Sequence, residues 1–199
     1  VTDIDAVAEL CQKEKVDGII TSFSDLLMEC MVKIPEKAGL PCYLKPEQLC
    51  WYRDKSACRE LLSKLGLPTP GFVKVPAAEQ NEYKLTEITA GLKYPLISKP
   101  LDKYGSRGIF IIKDQEQLAG SVRKTAEFTD LDEILIEEYN DGFEFNMMTW
   151  VLDGQVHVIS IADREKTSVA KGEIPISTRN VYPSRLMAKV ERPATELLQ

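Results

Sequence analysis

Residues 94–114 read YPLISKPLDKYGSRGIFIIKD. An apolar run through Leu96 and Ile97 ends in Lys99 and Pro100, a loop holding Gly105 and Gly108 follows, and a second apolar run starts at Ile109. Two short apolar segments on either side of a glycine-bearing loop predict two β-strands of one sheet. Three cations, Lys99, Lys103 and Arg107, gather around this loop in a chain of formal net charge −6. Glycine reaches backbone dihedrals that other residues avoid, so successive N–H groups can converge on a concavity that suits an anion. Lys99 ends an apolar strand, where a cation is costly without a partner, and a phosphate is the expected one. On the residues alone a second reading stands beside this, a glycine hairpin with solvated cations. Neither GxxxxGK[ST] nor GxGxxG occurs, so the loop is neither a P-loop nor a dinucleotide fingerprint.

Outward from the loop, EYKLTEITAGL (82–92) and DQEQLAGSVRKTAEF (114–128) predict helices, the second opened by Asp114 with Gln117 at capping-box spacing. EILIEEY (133–139) predicts a further strand. FEFNMMTWVLDGQVHVISIAD (143–163) predicts a β-hairpin around Asp153-Gly154. The last thirty residues read as a loop and the start of a helix.

Toward the N-terminus, RDKSACRELLSKLGLPTPGF (53–72) predicts a helix capped by Asp54. Its apolar face is Ala57, Cys58, Leu61, Leu62 and Leu65, and Gly66 with Pro68 ends it. Helices are also predicted over 3–15, with Ile4, Val7, Ala8 and Cys11 inward, and from about Ser24 to Ala38, ending at Gly39. VDGIITSFSD (16–25) between them reads as a short buried strand, which makes the first fifty residues part of a parallel α/β unit.

The composition is that of a globular protein, 44% hydrophobic and 28% charged. The acidic balance argues against a nucleic-acid partner. No apolar run approaches the ~20 residues of a membrane span, and no signal peptide is visible. Five cysteines without a CxxC pair suit a reducing, cytoplasmic compartment. With His157 the only histidine, they do not suggest a metal site. The chain starts at Val1 and stops in ERPATELLQ, which suggests a piece of a longer protein.

Four of these segments, in this order, resemble the ATP-grasp superfamily, in particular the carboxylate–amine ligases related to the carbamoyl phosphate synthase large chain. WYRDKSACRELLSKLGLPTP resembles the helix leading into the grasp, which implies that Lys55 contacts nucleotide phosphates. YPLISKPLDKYGSRGI resembles the strand, phosphate-binding lysine and flexible lid, which implies a phosphate role for Lys99 and a lid of Lys103, Tyr104, Gly105, Ser106, Arg107 and Gly108. ILIEEY resembles the hinge that reads adenine, at Glu137, Glu138 and Tyr139. GFEFNMMTWVLDGQ resembles the next strand pair, which implies that Glu144 holds the ribose hydroxyls. Without the resemblance the three glutamates also read as solvated strand residues. Tyr104 either caps the nucleotide or stiffens the lid.

IADREKT and VYPSRL resemble the acceptor side of the pocket, with Arg164 and Lys166 as candidate catalytic cations beside Asp163, and Arg179 and Arg185 as weaker candidates. An ion-paired turn is the other reading of that segment. The implied organisation is α/β with α+β character. Residues 1–52 are the C-terminal half of a Rossmann-like domain, 53–71 a linking helix, 72–140 the lid subdomain and 141–199 the start of the C-terminal grasp subdomain. The implied chemistry is ATP-dependent ligation of a small-molecule carboxylate and an amine through an acyl phosphate, with ATP and Mg²⁺ as cofactors. The metal ligands are expected beyond residue 199, so the chain alone is expected to be inactive. A nucleotide-binding regulatory module without catalysis and a structural domain with solvated cations are the competing classes. The identity of the substrates and the oligomeric state are not legible.

Overall fold

The computed structural model describes residues 2–21, 24–167 and 176–198. Helices α1 (Ile4–Glu14) and α2 (Asp25–Ala38) pack through Ala8, Cys11, Cys30 and Ile34. The Asp3 carboxylate accepts from the Ala6 amide at 3.0 Å and so caps α1, and Gly39, at φ +72°, closes α2. The buried strand expected between these helices is not formed over residues 16–21. Ile19 turns into the helix pair, whereas Ile20 is 92% exposed. Among the described residues no strand lies beside this segment, so it has no ladder to join. Ser22 and Phe23 of the predicted strand lie outside the described residues.

A 3₁₀ turn, Pro46–Gln48, leads into α3 (Leu49–Arg53) and α4 (Lys55–Lys64). The Asp54 carboxylate accepts from the amides of Ser56 at 2.8 Å and Ala57 at 3.3 Å and from the Ser56 hydroxyl at 2.7 Å. Replacing Asp54 by alanine orphans these donors and is expected to lower stability by about 1 kcal/mol. An unchanged urea midpoint would refute the capping role. The predicted apolar face of α4 needs one correction, because Leu65 is 61% exposed. Ser56 is the buried residue of this helix, and Lys55 and Arg59, one turn apart, are half-buried. The surface that α4 meets is charged, so its inward face is polar as well.

The first sheet contains β1 (Phe72–Pro76), β2 (Leu96–Pro100), β3 (Phe110–Ile112) and β4 (Glu133–Glu138), in the order β1-β4-β2-β3, with every pair antiparallel. Strand β1, four residues and a terminal proline, did not stand out in the sequence. Helices α5 (Glu82–Thr89) and α6 (Leu118–Ala126) cover one face, where Val75, Leu96, Ile112, Ile134 and Ile136 meet Leu85, Leu118 and Val122. The hydroxyls of Ser98 and Thr125 pair at 2.7 Å inside this core. Strand alternation turns Ile97, Lys99, Leu135 and Glu137 to the opposite face.

The second sheet contains β5 (Phe145–Leu152), β6 (Gln155–Lys166) and β7 (Ser177–Val181), in that order. Its first turn places Asp153 and Gly154 at φ +51° and +75°, the backbone a two-residue hairpin with Asp-Gly demands. Strand β7 replaces part of the expected C-terminal loop. Its composition, Ser-Thr-Arg-Asn-Val, is polar because it is an exposed strand at the sheet edge. Residues 171–175 of that expected loop lie outside the described residues. Helix α7 (Met187–Leu198) packs on β6. Among the described residues no helix is long and apolar enough to cross a membrane.

Candidate functional site

The face of the first sheet opposite α5 and α6 carries a buried charge cluster. Ile97 lies opposite Glu137 and Lys99 opposite Leu135, so Lys99 and Glu137 are diagonal neighbours on one face. The Lys99 ammonium pairs with the Glu137 carboxylate, and Arg59 of α4 reaches the same group, with Nε 3.0 Å from Oε2 and Nη2 3.4 Å from Oε1. The side chain of Glu137 is 4% exposed, that of Lys99 17% and that of Arg59 27%. Burial pushes the Glu137 carboxyl up, but the Arg59 hydrogen bond and the Lys99 charge outweigh it and hold the group below its ordinary value. Within the protein the partner of Lys99 is Glu137. Arg59 escaped the sequence reading. Its spacing four residues after Lys55 on one helix was the available signal.

The loop after β2 takes left-handed backbone at Gly105 (φ +66°), Ser106 (+59°) and Gly108 (+70°). A Cβ at Gly108 would lie 2.6 Å from Cβ of Phe128 and 2.8 Å from Cγ of Pro100. Lys55 Nζ donates to the carbonyls of Leu101 at 3.1 Å and Lys103 at 2.6 Å, and stands 5.6 Å from the Tyr104 ring centroid. The Tyr104 and Tyr52 rings lie 6.4 Å apart, which ties the loop to α3. Lys103 pairs with Asp102 at 2.6 Å, and the Thr129 hydroxyl donates to the same carboxylate at 2.7 Å. Burial pushes Asp102 up, and the hydrogen bonds from Lys103 and Thr129 overcome this and hold it low. Arg107 is exposed with Gly105 and Ser106 at the loop's tip. The three cations therefore do not converge: one is buried on Glu137, one is paired with its neighbour and one faces solvent.

Past the cluster, β4 runs into a cleft of about 440 Å³ between Pro68, Thr69 and Pro70 on one side and Glu138, Tyr139, Asn140 and Asp141 on the other. The Glu138 carboxylate accepts from the Lys93 amide at 3.0 Å. The amides of Glu138 and Tyr139 donate to the carbonyls of Gly71 and Pro95, both at 2.9 Å. The N–H groups of Glu138 and Tyr139 are thus used within the protein. The Thr69 hydroxyl is a buried oxygen without a hydrogen-bond partner among the described residues, and its residue lines this cleft.

Tyr139 and Asp141 also line a second cleft, of about 650 Å³, with Glu144, Asp163, Arg164, Lys166 and Arg185 among its walls. Here Arg164 and Lys166 both pair with the Glu144 carboxylate. Burial pushes Glu144 up, but the Lys166 hydrogen bond and the Arg164 charge prevail and hold it below its usual range. Asp163 accepts from the Ser184 hydroxyl at 2.6 Å and pairs with Arg185 at 3.4 Å, and Arg185 stacks 4.3 Å from the Phe143 ring centroid. Residues 161–166 are strand rather than turn, although ion-paired as the second reading supposed. Arg179 points to Glu165, at 2.6 Å, and does not line the cleft.

These residues suit a nucleotide polyphosphate. Two adjoining clefts share Tyr139 and Asp141, Lys55 and Lys99 stand at the base of a glycine loop, and an unpartnered hydroxyl lies in the wall. They do not suit a metal in the same way, since among the described residues no group of three or more His, Cys, Asp or Glu side chains could hold one.

The D-ala D-ala ligase C-terminus family matches residues 61–174. The N-terminal section of the carbamoyl phosphate synthase large chain of Methanopyrus kandleri is 25% identical over 173 residues, 82% of this chain and 29% of that protein. A D-alanine–D-alanine ligase of Haemophilus ducreyi is 32% identical over 103 residues, 52% of this chain and 32% of that protein. Among solved structures, an L-amino acid ligase from Bacillus licheniformis superposes with a TM-score of 0.79 at 25% identity, covering 98% of this chain and 47% of that one. The chain thus spans about a third of these curated relatives and about half of this structure. The sheets and helices described above are those of ATP-grasp ligases. The matched stretch, which takes in the last turn of α4, all of the first sheet and the β5–β6 hairpin, is more than half of the chain, and the chain belongs to the D-ala D-ala ligase C-terminus family of ATP-grasp carboxylate–amine ligases.

Proposed function

We propose that this chain carries the nucleotide site of an enzyme that joins a small-molecule carboxylate to an amine, using ATP to form an acyl phosphate that the amine attacks. The observation that supports this best is the pair of adjoining clefts that meet at Tyr139 and Asp141, one at the end of β4 and the other walled by Arg164 and Lys166 of β6. In this reading adenine occupies the cleft by Pro68–Pro70, with a carbonyl of residues 138–140 as acceptor and the Asn140 amide as donor. Glu144 accepts from the ribose hydroxyls, since a carboxylate offers two oxygens to a diol. Lys55 and Lys99 meet the phosphates under the loop of residues 103–108. Arg164 and Lys166, gathered on Glu144, supply positive charge where negative charge builds up during phosphoryl transfer.

Isothermal titration of ATP, with and without Mg²⁺, tests the reading. Lys99→Ala is expected to weaken binding about tenfold, the worth of one charge-assisted hydrogen bond. Equal affinity in the two chains would overturn the phosphate role of Lys99. We expect no turnover by the chain alone, and ADP release above the Lys99→Ala background would refute that.

A further inference from the structure

Resting on the reading of Lys99 as a phosphate ligand, we propose that Arg59 is a positioning residue that lets Lys99 move between Glu137 and a bound phosphate. The Glu137 carboxylate is held from two sides. Arg59 Nε holds Oε2 at 3.0 Å, while Lys99 is on Oε1. Only Oε1 is shared, with Arg59 Nη2 at the longer 3.4 Å. Among the described residues the charged groups paired with Glu137 are these two, one from α4 and one from β2.

Were Lys99 its sole partner, departure of the ammonium to a phosphate would strand a buried carboxylate, and that penalty would oppose nucleotide binding. The guanidinium is planar, stays charged and keeps its grip on the far oxygen, so Glu137 remains paired after Lys99 leaves. The Lys99 ammonium sits on a four-carbon stem with rotatable bonds, so it can swing away from Glu137. When no nucleotide is present Glu137 takes it back, which keeps a buried cation neutralised. Arg59 touches no phosphate in this account. It acts through Glu137.

The test compares ATP with adenosine, which lacks phosphates, by titration into the wild type, Arg59→Gln, Arg59→Lys, Glu137→Gln and the Arg59→Gln/Glu137→Gln pair. Arg59→Gln is expected to weaken ATP about tenfold and adenosine less than about twofold, with Arg59→Lys between it and the wild type. In the Glu137→Gln background no anion is left to strand, so Arg59→Gln is expected to have no further effect on ATP. A loss shared equally by ATP and adenosine, or one that persists undiminished in the Glu137→Gln background, overturns the proposal in favour of a packing role. Lys99-dependent ATP binding that ignores Arg59→Gln overturns the proposal alone. ATP binding that ignores Lys99→Ala overturns the underlying reading and the proposal together. Carbon NMR titration of the Glu137 carboxyl gives a readout without ligand: its midpoint is expected to rise in Arg59→Gln, and an unmoved midpoint overturns the proposal.

Discussion

Replacing Glu137 by glutamine is expected to lower the stability of the chain by about 3 kcal/mol, the low end of the cost of removing one partner from a buried ion pair. The low end applies because Lys99 and Arg59 keep some access to water, at 17% and 27% exposure. The change preserves volume, so cavity formation does not enter and the loss is electrostatic. Chemical denaturation measures it directly, and a loss below about 1 kcal/mol would mean that the two cations find water easily and the cluster is a surface feature. The pH dependence carries the same physics. The folded-state pKa of Glu137 lies below its unfolded value of ~4.3, so the folded state sheds this proton more readily. Its contribution is fully present above the unfolded value and is lost as pH falls through the folded one. The difference between wild type and Glu137→Gln is therefore expected to be flat near neutrality and to shrink in acid. A gap that widens on acidification would have the wrong sign for this account.

Gly108→Ala is expected to cost about 3 kcal/mol as well, from left-handed backbone and overpacking acting together. Its φ of +70° is strained for any side chain, and the added Cβ would meet Phe128 and Pro100 inside van der Waals distance. Neither neighbour yields cheaply. Pro100 closes β2, and the contact with Phe128 is at its Cβ, beside the backbone, with its ring against Phe110 at 6.2 Å. Gly105→Ala is the control, because Gly105 has nearly the same φ, +66°, but open space around its Cβ position. It is expected to cost only about 1 kcal/mol. Similar losses at the two positions would show that backbone strain alone operates. A large loss only at Gly108 shows that the loop's base is clamped while its tip is free, a useful arrangement for a lid.

Local chemistry was enough to locate much of this architecture. The glycine loop between β2 and β3, the Asp-Gly hairpin, the caps at Asp54 and Asp114, and the stop at Gly39 are all short-range features, set by backbone dihedrals and by side chains that reach amides two or three residues away. They are legible because the determinant and its effect lie within one turn. The strand expected at 16–25 and the missed strands β1 and β7 failed for the opposite reason. A strand is stabilised by its neighbours, and the neighbours of β1 and β7 are β4 and β6, neither of which a local sequence pattern identifies.

The candidate site divides along the same line. Lys99, Glu137, Glu144, Arg164 and Lys166 could be singled out as residues. Their partners could not, since Arg59 meets Glu137 across 78 positions and Arg164 meets Glu144 across 20. Lys99 at the end of an apolar strand signalled that a buried cation needed an anion, and that inference was sound. Which anion, however, depended on strand order: β4 lies between β1 and β2, and this alone sets Glu137 diagonal to Lys99. Short-range rules specify elements and the need for partners. Pairing across a sheet, which chain connectivity does not encode locally, specifies who the partners are.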